Sequence, residues 1–202
     1  GNMITPYSEF ETLLNEDYVT SKAFDNRFGC ALAVDVLDEL KNEALDINLV
    51  AGANVQEEVG LRGAKVAAHK VKPDLAIAVD VGVAYDTPGL ESDGDVKIGQ
   101  GPIVLTLDAT NVGHVGLIRH VKKVAKAHNI ELQWDSMPGG GTDAGNMHTA
   151  LDGIPSIALS IPLRYMHSNV SVIDQKDYQK AVQLVTEIIR ALNDDVVDEI
   201  IW

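Results

Sequence analysis

The chain has one cysteine, few basic residues and no apolar run long enough to span a membrane. Cys30 excludes an internal disulfide and fits a reducing compartment, so we expect a cytoplasmic protein. No apolar run approaches the roughly 18 residues that a transmembrane helix needs. Lys and Arg number 16 against 30 Asp and Glu, which gives a net charge of −14. This acidity argues against nucleic acid or an anionic membrane as a partner, and it favours the attraction of cations.

Apolar runs alternate with amphipathic segments along most of the chain. We predict buried strands at 47–55, 74–82, 102–109 and 155–163, a short strand at 130–135, and helices at 24–40, 62–71, 114–129 and 176–193. The alternation predicts a three-layer α/β/α fold with a mainly parallel central sheet and helices on both faces. Functional sites in such folds form at the carboxyl ends of the strands.

Four carboxylates and one imidazole stand at the ends of these predicted elements: Asp25, Glu57, Glu58, Asp80 and His167. Carboxylates this close would not all stay ionised without a cation. Carboxylate and imidazole ligands suit zinc, cobalt or manganese. One glutamate of the Glu57–Glu58 pair can then hold a metal while the other takes a proton from water, since hydrolysis needs both roles.

A glycine-rich stretch, MPGGGTDAGN at 137–146, has two open interpretations. It is either a flexible turn or a loop whose backbone approaches a ligand closely, which glycine permits. It lacks the lysine of a phosphate-binding loop.

Five motifs occur in a familiar order: KAFDNRFGC, NVQEEVGLRGAK, PDLAIAVDVG, GGGTDA and RYMHS. Together they resemble the family of glutamyl aminopeptidases and tetrahedral aminopeptidases, dinuclear metal enzymes of which some relatives carry an endoglucanase label. The resemblance runs from about Lys22 to Leu192. It implies a zinc-aminopeptidase-like fold, two divalent metal ions, zinc, cobalt or manganese, and a peptide substrate whose N-terminal residue is released by metal-activated water. It also implies homo-oligomers, since the family forms dimers and dodecamers.

The resemblance implies a role for each matching residue. Asp25 resembles the carboxylate that bridges the two metals, and Glu57 the general base. Glu58 and His167 resemble ligands of one metal, and Asp80 a ligand of the other. The substrate pocket is expected to be shaped by Arg164 and by the loop Gly139–Asp143, in particular Gly140, Gly141 and Thr142. Arg164 either selects an acidic substrate side chain or organises the site around His167.

The chain departs from the family pattern before Asp25. It contains no His-x-Asp motif there, and no β-domain of the kind the family inserts at that point. We therefore interpret residues 1–202 as the C-terminal portion of a catalytic domain, lacking one metal-ligand histidine, and expect these residues alone to have little activity. Two alternatives stay open: a non-catalytic domain that binds metal or peptide, and a glycoside hydrolase, which also uses paired carboxylates.

Overall fold

A computed structural model describes all residues from 1 to 202 and contains a four-stranded central sheet. Its strands are β3 (Ala76–Val83), β4 (Ile103–Asp108), β5 (Gln133–Met137) and β6 (Ser156–Leu163), in the order β3-β6-β4-β5. The β3–β6 and β4–β5 pairs are parallel, whereas β4 and β6 are antiparallel. The predicted fold class is confirmed, with a sheet that is mixed at one pairing. All eight residues of β6 are buried, which explains its unbroken apolar sequence.

Helices cover both faces of this sheet. The six helices are α1 (Phe24–Leu40), α2 (Arg62–Val71), α3 (Val115–Ala127), α4 (Ala144–His148), α5 (Gln175–Arg190) and α6 (Asp194–Ile201). Helices α1, α3, α5 and α6 enclose the main core with one face of the sheet. Helices α2 and α4 lie on the other face, where alanines such as Ala78 and Ala158 form small apolar contacts. None of the helices is both long and apolar enough to cross a lipid bilayer.

A second, antiparallel sheet lies beside the first. It contains β1 (Glu11–Thr12), β2 (Tyr18–Ser21) and β7 (Ser171–Asp174), in the order β1-β2-β7. The Arg164 and Val172 backbones exchange two hydrogen bonds, which join the end of β6 to β7. This pairing closes the turn that carries His167.

The prediction of a buried strand at 47–55 is wrong. These residues form no strand, although Ile47 and Leu49 pack against the main core. Intervening side chains such as Val50, which is 64% exposed, face outward. An apolar run cannot show whether a neighbouring strand exists to pair with it, and this segment pairs with no strand of either sheet. The glutamate pair therefore follows an unpaired segment rather than a strand.

Candidate metal centre

Three of the predicted ligands meet at one point. The Nε2 atom of His167 lies 3.1 Å from Oδ2 of Asp25 and 3.4 Å from Oε2 of Glu58. Possible ligand atoms of the three side chains all lie within 4.8 Å of one another, and no other group of three or more such side chains occurs in the chain. Two carboxylates and an imidazole facing one point form a donor set that fits zinc, cobalt or manganese.

Asp25 is positioned by its neighbour Asn26 at the start of α1. The Asn26 amide donates to the Val79 carbonyl of β3 at 2.8 Å, and its Oδ1 accepts from the Gly29 N–H at 2.7 Å. Asn26 thus satisfies a free N–H at the helix start, as a capping side chain does. A Cβ atom on Gly29 would lie 2.7 Å from the same Val79 carbonyl oxygen, so glycine permits this close approach.

We call residues 54–61 the glutamate loop, since they carry Glu57 and Glu58. The Gly60 and Leu61 N–H groups both donate to the Glu57 carbonyl, which makes a tight turn before α2. Gln56 and Leu61 have φ angles of 62° and 55°, in the left-handed region that costs non-glycine residues energy. Such outliers concentrate at functional sites, because the surrounding structure must hold them.

His167 lies in a second turn of similar character. Tyr165 and His167 have φ angles of 62° and 57°. The Ser168 hydroxyl donates to the Tyr165 carbonyl at 2.7 Å, which supports the turn. The His167 side chain remains 66% exposed, and Glu58 is 58% exposed, so the point where these side chains meet is open to solvent.

The carboxylates raise one another's pKa values. Burial, followed by the charge of Glu58 and then that of Asp143, raises the pKa of Glu57 to about 7. Burial also raises the pKa of Asp25, with Glu58 as the next cause, while His167 opposes the shift. Concentrated negative charge of this kind is relieved by protons or by a bound cation.

Asp80 lies apart from the three-ligand group. It stands within β3 opposite Ser160, rather than past the end of the strand, and it is 8% exposed. Its Oδ1 accepts from the Val81 N–H at 2.8 Å. Burial raises its pKa to about 8, with Glu57, Asp25 and Asp143 as smaller contributors. These charge interactions place Asp80 in the same electrostatic cluster.

The sequence analysis missed Asp143 as a charged member of this cluster. Its Oδ2 accepts from the Asn54 amide at 2.8 Å, while its Oδ1 is buried without a hydrogen-bond partner. Burial raises its pKa, and the Asn54 hydrogen bond opposes this. The available signal was an acidic residue inside the glycine-rich stretch MPGGGTDAGN.

The glycine-rich stretch packs against protein atoms. A Cβ atom added to Gly141 would lie 2.8 Å from the Thr110 side chain, and one added to Gly140 would lie 2.6 Å from the Met137 side chain. Thr142 is buried, with its hydroxyl 3.4 Å from Asp108 Oδ2. These glycines thus have a packing role that needs no ligand.

Arg164 is held by an ion pair. Its Nε and Nη2 atoms lie 3.0 and 2.7 Å from the two carboxylate oxygens of Asp86. Its guanidinium also lies 5.7 Å from the ring centre of Tyr18. A guanidinium with its charge already matched by a carboxylate favours the organising role over selection of an acidic substrate.

The sequence and the fold both match known aminopeptidases. The profile of the M42 glutamyl aminopeptidase family matches residues 1–184. A glutamyl aminopeptidase from Lactococcus lactis subsp. cremoris is 38% identical over 200 residues, which cover 99% of this chain and 55% of that protein. The chain spans about half the length of the curated relatives it matches.

Solved structures agree with the sequence match. The TET aminopeptidase from the marine sediment archaeon Thaumarchaeota archaeon SCGC AB-539-E09 superimposes with a TM-score of 0.93 at 38% identity, covering 96% of this chain and 55% of that one. The TET1 peptidase of Pyrococcus horikoshii, described as assembling into a tetrahedron or a large octahedral shell, gives a TM-score of 0.80 at 34% identity. It covers 91% of this chain and 53% of that one. The chain therefore belongs to the M42 glutamyl aminopeptidase family.

Proposed function

We propose that the residues of the candidate metal centre form the catalytic centre of a metal-dependent aminopeptidase, which releases N-terminal residues from peptides. The observation that carries the proposal is the meeting of Asp25, Glu58 and His167, with Glu57 directly beside Glu58 in the chain. Membership of the M42 family supports a peptidase function.

In this proposal Asp25, Glu58 and His167 hold one divalent metal ion. Asp25 and Asp80 would be the ligands from this chain for a second ion. Zinc, cobalt or manganese at these positions would supply Lewis acidity toward the peptide carbonyl and toward water. Asp25 is the proposed shared ligand because it meets Glu58 and His167 and because its charge also acts on Asp80.

Glu57 is the proposed general base. In the metal-free protein, burial and the neighbouring carboxylates raise the pKa of its half-buried carboxyl to about 7. Bound cations would offset the neighbouring negative charge and lower this pKa, which would leave Glu57 ionised and able to accept a proton. Glu57 therefore accepts a proton from the attacking water and delivers it to the departing amine.

We further propose that residues 1–202 are the C-terminal portion of a larger catalytic domain. Among the described residues, Asp80 and Asp25 have no imidazole to complete a second three-ligand group. We expect these residues alone to bind one metal ion tightly and to turn over peptides slowly. Self-association into a homo-oligomer is proposed from the assemblies of the Pyrococcus horikoshii relative.

The test is a peptidase assay on the full natural chain that contains these residues. With zinc or cobalt added, it should hydrolyse aminoacyl anilides, should leave their N-acetylated forms intact, and should lose activity with a chelator. Hydrolysis of a soluble β-glucan but not of anilides would favour the glycosidase alternative. Tight metal binding without hydrolysis of either substrate would favour the non-catalytic alternative.

A further inference from the structure

The glutamate loop is tied to the glycine-rich stretch by two side-chain amides. The Asn54 Nδ2 donates to Asp143 Oδ2 at 2.8 Å, near the start of the loop. The Asn146 Nδ2 donates to the Leu61 carbonyl at 2.7 Å and to the Gly60 carbonyl at 3.2 Å, at its end. Both ends of the loop are therefore attached to residues 143–146.

The loop needs this attachment because its own contacts do not favour the observed position. Oδ2 of Asp25 and Oε2 of Glu58 lie 3.1 and 3.4 Å from the same His167 nitrogen, so two carboxylates stand close together and repel each other. Gln56 and Leu61 keep the left-handed backbone described above. Repulsion favours a loop that moves away from Asp25, and the left-handed residues disfavour the observed backbone, so contacts outside the loop must hold it.

Residues 143–146 rest on a rigid base at the end of β4. The buried Asp108 accepts hydrogen bonds from the Thr110 N–H at 2.6 Å, the Thr110 hydroxyl at 2.7 Å and the Asn111 N–H at 2.7 Å. Gly145 packs so closely on Thr110 that a Cβ atom there would lie 2.1 Å from its hydroxyl oxygen. The attachment point is thus fixed by the sheet.

We propose that Asn54, Asp143 and Asn146 are positioning residues that hold the glutamate loop where Glu58 meets Asp25 and His167, with Glu57 beside it in the chain. The attachment consists of hydrogen bonds within this chain, and the significance of the loop position rests on the proposed function. Residues that orient metal ligands from behind typically change metal affinity roughly 10- to 100-fold when replaced.

Asn146→Asp tests the end of the loop, because it keeps the side-chain shape and replaces the amide donor with a carboxylate that repels both carbonyls. Asn48→Asp, at an exposed position, is the control for added charge. In the metal-free protein we expect hydrogen exchange at the Gly60–Gly63 amides to rise at least roughly tenfold, with α5 unchanged. Zn²⁺ affinity, measured by calorimetry against a His167→Ala baseline, should fall roughly 10- to 100-fold.

A charge swap tests the start of the loop. Asn54→Asp alone sets two carboxylates against each other and should weaken Zn²⁺ binding to a similar degree. Adding Asp143→Asn restores one amide–carboxylate hydrogen bond in the reverse direction. The double variant has the same net charge as the unmodified chain, and it should recover most of the lost affinity.

The outcomes separate this proposal from the proposed function. If Asn146→Asp matches Asn48→Asp in both exchange and affinity, or if the double swap binds no better than Asn54→Asp, the positioning role is wrong. Increased exchange in α5 as well would show a general loss of stability and would also overturn it. If the unmodified chain binds no Zn²⁺ above the His167→Ala baseline, the proposed function fails, while the exchange result still decides the positioning role.

Discussion

Glu57 and Glu58 are neighbours in the chain but differ in their surroundings. Glu57 is half-buried with a pKa raised to about 7, whereas Glu58 is exposed and lies 3.4 Å from His167. In the full natural chain we expect Glu57→Gln to keep its metal and to lose turnover by roughly a hundredfold or more, the usual scale for a general base. Glu58→Gln should instead lower metal affinity. Metal analysis and anilide kinetics on the same preparations check both, and near-normal turnover in Glu57→Gln would refute its role.

Asp80 makes the stability of the metal-free protein depend on pH. Burial in β3 raises its pKa to about 8, while an aspartate in an unfolded chain titrates near pH 4, to within about half a unit. Between these values the folded protein holds a proton that the unfolded chain has released. Stability therefore falls as pH rises from about 4 to about 8, by at most about 1.4 kcal/mol per pH unit for this one group.

Denaturant unfolding of metal-free protein at pH 5, 6, 7 and 8 measures this slope. Asp80→Asn removes this titration while keeping the side-chain shape, and it should reduce the slope to what Glu57 and the other carboxyls with raised pKa values contribute. An unchanged slope in that variant would assign the effect to other carboxyls.

Among the helices and strands, the sequence predicted those that carry a signal within their own residues. Periodic apolar residues identified α5, and continuous apolar runs identified β3, β4 and β6. The run at 47–55 failed because a strand depends on a partner elsewhere in the chain. β2 and β7 were missed because strands this short carry almost no periodic signal. The site residues were found through motif resemblance and from the ends of predicted elements. The hydrogen bond that ties Asp143 to Asn54 joins distant parts of the chain, and no local pattern predicts it.

Helix α5 joins the sheet to the main core through a buried apolar stripe. Leu184 is fully buried in that stripe. We expect Leu184→Ala to cost about 2–5 kcal/mol of unfolding free energy, through lost burial and the cavity left behind. Gln183→Ala, on the exposed side of the same helix, should change it by no more than about 0.5 kcal/mol. Denaturant unfolding of both variants checks the orientation of α5, and equal effects would contradict it.

The molecule as a whole carries a net charge of −14, and part of that charge converges on one site. A ligand that binds only the folded state stabilises it by mass action, by about 2.7 kcal/mol at a hundred times its Kd. For a domain of this size that raises Tm by roughly 5–10 °C. We expect zinc to produce this increase in the unmodified chain and not in His167→Ala. A similar increase in both would indicate binding elsewhere on the acidic surface.

The central claim is that Asp25, Glu58 and His167 together hold a divalent metal ion. An anomalous-scattering map from crystals grown with zinc tests it most directly, because it locates each ion and counts them. The account predicts a strong peak with ligand atoms of all three residues at about 2.0–2.2 Å, and any second, weaker peak beside Asp80. Zinc bound elsewhere, with the His167 ring well ordered and turned away from Asp25, would contradict it.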